Sequence, residues 1–167
     1  MTAHIHQINV NPNGGVPKLR VAVARLEFGG VSGDKQNHRR FHGGPMRAVC
    51  LYSLELIEAL QAEGHPISPG STGENLTICG LDWDEMKSGV RLQIGESQIE
   101  LTKPTVPCFQ ITNSFANGDF KRIGQKLNRG WSRFYAKVLV EGEVREGELV
   151  QVLTVSPNDA LAIGKGR

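Results

Sequence analysis

Short apolar segments, most of them alternating with polar residues, recur along the chain. Val90, Leu92 and Ile94 alternate strictly, and a Gly-Glu-Ser turn leads from them to the apolar pair Ile99 and Leu101. An alternation of period two places apolar side chains on one face of a β-strand, and glycine turns at short intervals are typical of barrels and sandwiches. The pattern predicts a mainly β fold, specifically an antiparallel β-barrel. The predicted strands cover residues 5–10, 21–26, 48–52, 76–78, 90–94, 99–101, 136–140 and 149–153.

A few short helices are predicted between these strands. Ser53 is a favourable N-cap for a helix over residues 54–63, whose apolar residues form one stripe, and Gly64 follows as a stop signal. Apolar residues at helical spacing predict a second helix over residues 118–127. A shorter helical turn is predicted over residues 81–87.

Composition and charge restrict the class of protein. The 167 residues carry a formal net charge of only +2, which argues against a nucleic-acid or membrane-surface partner. The sequence contains neither an apolar stretch of membrane-spanning length nor a signal-peptide pattern at its start. Three cysteines without C-x-x-C spacing fit a reducing compartment. These features predict a cytoplasmic protein with one domain over residues 1–155 and a flexible tail over residues 156–167.

Cys108 is the most informative cysteine. It follows Pro104-Thr105-Val106-Pro107, and each proline fixes φ, so the loop holds the thiol in a defined place. A thiolate is a soft anionic group, suited to binding molybdenum or to carrying a persulfide sulfur. The loop alone leaves open the commoner role of a small buried apolar residue. Cys50 and Cys79 lie in or directly after apolar segments and are predicted to be core or edge residues.

A glycine-rich turn is a candidate anion-binding loop. Gly43 and Gly44 follow His42, and their lack of a Cβ lets backbone N–H groups approach an anion closely. Arg47 can add charge-assisted hydrogen bonds. From the residues alone, a plain turn with a solvated arginine is the simpler explanation. His42 can contact a ligand, donate a proton or cap the loop.

Other polar residues are candidates with open alternatives. Asn75 can donate and accept hydrogen bonds at once, which suits the edge of a heterocycle or an oxo group. Arg133 can reach a phosphate, or it can lie over the nearby Trp131 as surface packing. Asp34 and Lys35 can form a local ion pair or a solvated loop.

Five segments in this order carry a resemblance to a known family. They are Gly33-Asp34-Lys35-Gln36, His42-Gly43-Gly44-Pro45-Met46-Arg47-Ala48-Val49, Gly73-Glu74-Asn75-Leu76, Thr105-Val106-Pro107-Cys108 and Gly130-Trp131-Ser132-Arg133. In order and spacing they resemble the MOSC domain family, which includes the C-terminal domains of molybdenum-cofactor sulfurases and small stand-alone bacterial proteins. The resemblance extends from about residue 5 to residue 153. It implies a compact β-barrel whose cysteine, Cys108, faces a site for the molybdenum cofactor.

The resemblance also implies roles for individual residues. It makes Cys108 a thiolate ligand of molybdenum. The cofactor-binding residues that it implies are His42, Gly43, Gly44, Arg47, Asn75 and Arg133, with Arg47 directed at the pterin phosphate. The implied function is the reduction of N-hydroxylated small molecules by an oxidoreductase.

Electrons for this reaction would come from a separate electron-donor protein, since the sequence shows no flavin or iron–sulfur motif. One alternative is a sulfur carrier with a Cys108 persulfide, supplied by a separate sulfur-donor protein. In the sulfurases that role begins in a pyridoxal-phosphate domain, which this chain is too short to include. A second alternative is a non-catalytic module that binds the cofactor.

Overall fold

The computed structural model describes residues 2–35 and 44–153, in which β-strands predominate. The strands closely follow the predicted apolar segments, except that the segment 21–26 is divided between β2 and β3, and that two further short strands, β4 and β10, have no predicted counterpart. The strands are β1 His4–Val10, β2 Leu19–Val21, β3 Val23–Glu27, β4 Gly30–Val31, β5 Val49–Ser53, β6 Leu76–Cys79, β7 Arg91–Ile94, β8 Ser97–Pro104, β9 Phe134–Val140, β10 Gly142–Arg145 and β11 Val150–Leu153.

Two sheets enclose one apolar core. The larger has eight strands in the order β11-β7-β8-β9-β5-β6-β1-β2, and the smaller has three in the order β10-β3-β4. The pairing of β5 with β6 is parallel, whereas the other strand pairings are antiparallel. Along β8, Ser97, Ile99 and Leu101 are buried while the residues between them are partly exposed. This alternation directs one face of the strand into the core.

The mainly β class is confirmed, and the strand ladders stop short of a closed barrel. β11 and β2 are the two ends of the larger sheet. β2 pairs with β1 only from Ile8 to Val10, so the opposite end of β1 remains accessible to the chain that leads into β11. There His4 forms an isolated bridge with Leu149, and the Val150 N–H donates to the Ala3 carbonyl at 2.9 Å. These short contacts connect β11 to β1, the strand next to the other end, and among the described residues they form no continuous ladder.

The first predicted helix is present and the second is not an α-helix. Helix α1 runs over Leu54–Ala62, and the Ser53 side chain accepts a hydrogen bond from the Leu56 N–H. In place of the second helix the chain forms short 3₁₀ segments, including Phe120–Ile123. Asp119 has a ψ of 62° and Gly124 has a φ of −78° with a ψ of 131°, so non-helical residues interrupt the predicted range near its start and in its middle.

Two predicted features lie outside the described residues. The tail over residues 156–167 is one, and His42 with Gly43 is the other. Within residues 2–35 and 44–153, no helix combines the length and hydropathy that crossing a membrane requires.

Candidate functional site

One cleft collects most of the residues that the sequence singled out. Its enclosed part has a volume of about 90 Å³, and its mouth is open to solvent. Its walls come from the β1–β2 connection, the segment after β4, the start of β5, the turn before β6, the loop after β8 and the start of β9. The lining residues are Gly15, Val16, Lys18, Lys35, Arg47, Cys50, Thr72, Gly73, Asn75, Cys108, Gln110, Ile111, Arg133 and Tyr135.

Cys108 lies on the wall of this cleft and is partly exposed. Its loop is held at both ends by backbone hydrogen bonds. The Thr105 N–H donates to the Arg133 carbonyl at 2.9 Å, and the Ile111 N–H donates to the Cys108 carbonyl at 3.2 Å. The first bond connects the loop directly to the residue before β9. A side chain held by such a scaffold can present its thiol in a fixed direction.

Arg133 is buried, with 8% of its surface exposed, and it also lines the cleft. One of its terminal nitrogens donates to the Thr72 carbonyl, while its Nε has no hydrogen-bond partner among the described residues. A buried guanidinium N–H without a hydrogen-bond partner lowers the stability of the fold. The free Nε–H of Arg133 therefore points to an acceptor supplied by a ligand or by water. The alternative of surface packing over Trp131 is wrong for Arg133. Arg122 occupies that place, 3.9 Å from the ring centre.

Asp34 pairs with Lys18 rather than with its neighbour Lys35. The Asp34 side chain is 2% exposed and forms an ion pair with Lys18, whose side chain is 12% exposed. Its two oxygens also accept hydrogen bonds from the Asn11 N–H at 2.8 Å and from Asn75 Nδ2 at 2.9 Å. The carboxylate therefore holds together a cation, an amide and the segment after β1. Neither the local pair nor the solvated loop suggested by the sequence describes this arrangement.

Asn75 faces the cleft, but its side chain is largely engaged by the protein. Its Oδ1 accepts from the Cys50 N–H at 3.0 Å, and its Nδ2 donates to the Asn9 carbonyl and to Asp34. Both amide donors are thus used, and only one Oδ1 lone pair is left for a ligand. The adjacent Glu74 is fully buried and accepts from the Gly70 N–H, Thr72 and Thr77. This pair fixes the turn before β6.

Arg47 and Tyr135 lie together in the cleft. The Arg47 guanidinium carbon is 5.5 Å from the centre of the Tyr135 ring, a cation–π arrangement. Arg47 follows Gly44, which adopts a φ of 91° ahead of the 3₁₀ turn Pro45–Arg47. Burial raises the pKa of Tyr135 to about 12, and the nearby thiols of Cys50 and Cys108 act in the same direction. The Tyr135 hydroxyl therefore stays protonated near neutral pH.

The other two cysteines occupy different environments. Cys50 is buried in β5 and also contributes to the cleft wall, and burial raises the pKa of its thiol to about 11. Cys79 is at the end of β6, where its sulfur is 3.1 Å from His4 Nε2. Burial, followed by the negative charge of Glu55, raises the Cys79 pKa. The prediction of core and edge positions is correct for burial but missed the contact of Cys50 with the cleft.

Several lining residues have no motif in the sequence that marks them. Lys18 directly precedes β2, and Cys50 and Tyr135 lie on β5 and β9; these residues reach the cleft only because the three strands belong to one sheet. Cys50 and Tyr135 are directly paired across β5 and β9. Such neighbours are set by long-range strand register. In the described part of the chain, no cluster of three or more His, Cys, Asp and Glu side chains has the arrangement of a metal site.

Comparison with known proteins identifies relatives of this chain. The family model described as "MOSC domain" matches residues 38–151. YflK of Bacillus subtilis (strain 168) is 31% identical over 138 residues, covering 82% of this chain and 60% of that protein. YiiM of Escherichia coli (strain K12) is 30% identical over 143 residues, covering 80% of this chain and 62% of that protein. The chain thus spans a little over 60% of the length of these relatives.

Solved structures show the same fold. The crystal structure of YiiM from Geobacillus stearothermophilus superposes with a TM-score of 0.72 at 23% identity, covering 94% of this chain and 78% of that one. The YuaD protein of Bacillus subtilis gives a TM-score of 0.72 at 19% identity, covering 93% and 98% of the two chains. The family match spans more than half of the sequence, and two relatives are at least 30% identical. The chain belongs to the MOSC domain family.

Proposed function

We propose that this protein binds the molybdenum cofactor and reduces N-hydroxylated small molecules, with Cys108 as a thiolate ligand of the metal. One observation carries the proposal: Cys108 shares a cleft with Lys35, Arg47 and Arg133, and with Lys18, which is paired with Asp34. None of the described residues that line this cleft has a carboxylate. A soft thiol beside several cations suits a ligand with a metal at one end and a phosphate at the other.

The residues of the cleft fit this cofactor. The partnerless Nε of buried Arg133 can donate to a phosphate oxygen. Gly73 has a φ of 89°, and a Cβ there would come 3.1 Å from the Val16 side chain. A side chain at this position would therefore press on Val16, which also lines the cleft. Arg47 and Arg133 would hold the phosphate, and the remaining Asn75 lone pair would face the pterin.

The proposed reaction balances as R–NHOH + 2 e⁻ + 2 H⁺ → R–NH₂ + H₂O. When bound, the molybdenum centre supplies the two-electron redox chemistry. The protein's own contribution is to orient the substrate and exclude water. Tyr135 lines the same cleft, and burial raises the pKa of its hydroxyl to about 12, so the hydroxyl stays protonated near neutral pH. The electrons come from a separate protein.

The experiment compares wild type with Cys108→Ser and a matched control, Cys79→Ser, in protein from a host that makes the cofactor. Cys79 is outside the cleft, beside His4. Molybdenum is measured by mass spectrometry, pterin by fluorescence and reduction by product analysis. We expect Cys108→Ser to lose nearly all molybdenum and turnover, because a hard neutral hydroxyl replaces a soft thiolate, while Cys79→Ser retains both.

Other results would contradict the proposal or favour one of the alternative functions. Full molybdenum content and turnover in Cys108→Ser would exclude the thiolate role. Wild type without molybdenum, but with sulfur on Cys108 that cyanide removes, would indicate a sulfur carrier. Bound cofactor without turnover of any N-hydroxylated compound would indicate a cofactor-binding module.

A further inference from the structure

The backbone that leads to Arg133 is fixed by side chains from outside the cleft. Tyr52 Oη donates a hydrogen bond to the Trp131 carbonyl at 2.7 Å. Trp83 Nε1 donates one to the Ser132 carbonyl at 2.9 Å. Neither donor lines the cleft, whereas Arg133 does. The two peptide carbonyls immediately before the arginine are therefore held by residues that a ligand in the cleft does not touch.

These two donors belong to the core. Tyr52 is fully buried, and Trp83 is 7% exposed. Their rings meet edge to face with centres 6.2 Å apart, and the Trp83 ring meets Phe134 in the same way at 5.9 Å. Phe134 directly follows Arg133 in the chain. Hydrogen bonds before the arginine and aromatic packing after it thus fix the backbone on both of its sides.

A third contact to this backbone comes from Gln125. Its Oε1 accepts hydrogen bonds from the Gly130 N–H and from Ser132 Oγ, both at 3.1 Å. A backbone N–H can only donate, so the atom that faces it is the amide oxygen. Gln125 is partly exposed and does not line the cleft. Unlike the buried rings of Tyr52 and Trp83, it can be replaced without opening a cavity in the core.

The direction of the Arg133 side chain depends on this backbone. Among the described residues its guanidinium binds only the Thr72 carbonyl, and its Nε has no partner. The guanidinium is planar and its donors have fixed directions, so a displaced backbone redirects the Nε–H. An N–H···O hydrogen bond is most favourable at about 2.9 Å and is lost by about 3.6 Å. A shift of about 0.7 Å therefore decides whether Nε reaches an acceptor.

We propose that Gln125 is a positioning residue that, together with the two core aromatic rings, directs the Arg133 Nε–H toward a phosphate oxygen. This inference rests on the proposed function, in which Arg133 holds the phosphate of the cofactor. Because Gln125 lies outside the cleft, its effect passes through the Gly130 N–H and the Ser132 hydroxyl to the next residue. At metal sites, comparable outer partners change affinity about 10–100-fold without touching the ligand.

The test measures two ligands on the full chain. Pterin retention during dialysis is followed by fluorescence in protein from a host that makes the cofactor. The Kd for inorganic phosphate is measured by calorimetry on protein made without the cofactor, in about 0.15 M salt, which screens distant charges. Gln125→Met keeps the length of the side chain but removes the acceptor, whereas Gln125→Glu keeps an acceptor oxygen. The matched control is Gln93→Met, because Gln93 donates to the Gly95 carbonyl at the β7–β8 turn, outside the cleft.

We expect Gln125→Met to raise both the phosphate Kd and the rate of pterin loss about tenfold. Gln125→Glu and Gln93→Met should behave as wild type. Arg133→Lys keeps a positive charge but lacks the Nε donor. In that background, adding Gln125→Met should change neither quantity further, because Gln125 acts through Arg133.

The proposal is overturned if Gln125→Met binds phosphate and retains pterin as wild type does. It is also overturned if Gln125→Glu or Gln93→Met shows the same loss, or if the losses add in the Arg133→Lys background. Failure of the proposed function has a different signature. In that case the wild type retains no pterin, while the loss of phosphate affinity confined to Gln125→Met still supports the positioning role. A wild type that binds neither ligand overturns both proposals.

Discussion

Asp34→Asn tests whether the buried network beside the cleft stabilises the fold. Asp34 is 2% exposed and binds Lys18, the Asn11 N–H and Asn75. An asparagine keeps the shape and one acceptor oxygen. Its amide nitrogen, however, is another donor facing the Lys18 ammonium and the Asn75 amide. The substitution therefore leaves a mostly buried cation without its counter-charge.

The magnitude follows from burial. Removing one partner of a buried ion pair costs about 3–5 kcal/mol. The Lys18 side chain is 12% exposed, so water partly solvates the ammonium, and we expect the lower end, about 3 kcal/mol. For a domain of this size, that loss lowers Tm by roughly 6–12 °C. The pair Arg20–Glu146, in which Arg20 is exposed, provides the control, and Glu146→Gln should destabilise the fold much less than Asp34→Asn.

Urea unfolding followed by tryptophan fluorescence measures these free energies, since Trp83 is buried in the core. The double variant Lys18→Met/Asp34→Asn separates the pair from its surroundings. Because it removes the cation as well, we expect it to be more stable than Asp34→Asn alone, with a coupling energy of about 2 kcal/mol. A loss in Asp34→Asn no larger than in Glu146→Gln, or purely additive effects in the double variant, would refute the reasoning.

Three further substitutions test other parts of the cleft. Since burial raises the Cys50 pKa from 9.0 to about 11, the folded state keeps a proton that the unfolded thiol loses above about pH 9. The free energy of unfolding of the wild type therefore falls as pH rises toward 11. Cys50→Ala lacks the thiol, so its free energy of unfolding, measured by urea titration, should fall by about 2 kcal/mol less over that range. Gly73→Ala should cost about 1–2 kcal/mol because φ is 89°, and reduce pterin content. Arg47→Ala should weaken pterin retention during dialysis about tenfold, whereas Arg25→Ala should leave it unchanged.

The sequence predicted the regular parts of the fold because they obey local rules. Strict alternation located β7 and β8, and the N-cap Ser53 located the start of α1. β4 has only two residues and β10 is half charged, so neither carries a local signal. The second predicted helix is interrupted where Gly124 adopts an extended conformation, which apolar periodicity does not reveal.

The candidate site was predicted only in part, because local motifs mark residues but not their partners in the folded chain. Motifs marked Arg47, Asn75, Cys108 and Arg133, which the structure brings to one cleft. Residue identity does not specify hydrogen-bond partners, however. Asn75 was expected to contact a ligand, yet both of its donors bind the protein. Strand register and burial decide such pairings, and both depend on the whole fold.

The two ends of the cleft are also connected to each other. The Arg133 carbonyl accepts the hydrogen bond from the Thr105 N–H that holds the Cys108 loop. The Arg133 side chain in turn binds the Thr72 carbonyl, next to Gly73. A shift of this arginine would therefore move the thiol loop and the glycine turn together. A bound phosphate would give the Arg133 Nε its hydrogen-bond partner. Binding of the phosphate of the ligand should therefore also fix the position of Cys108.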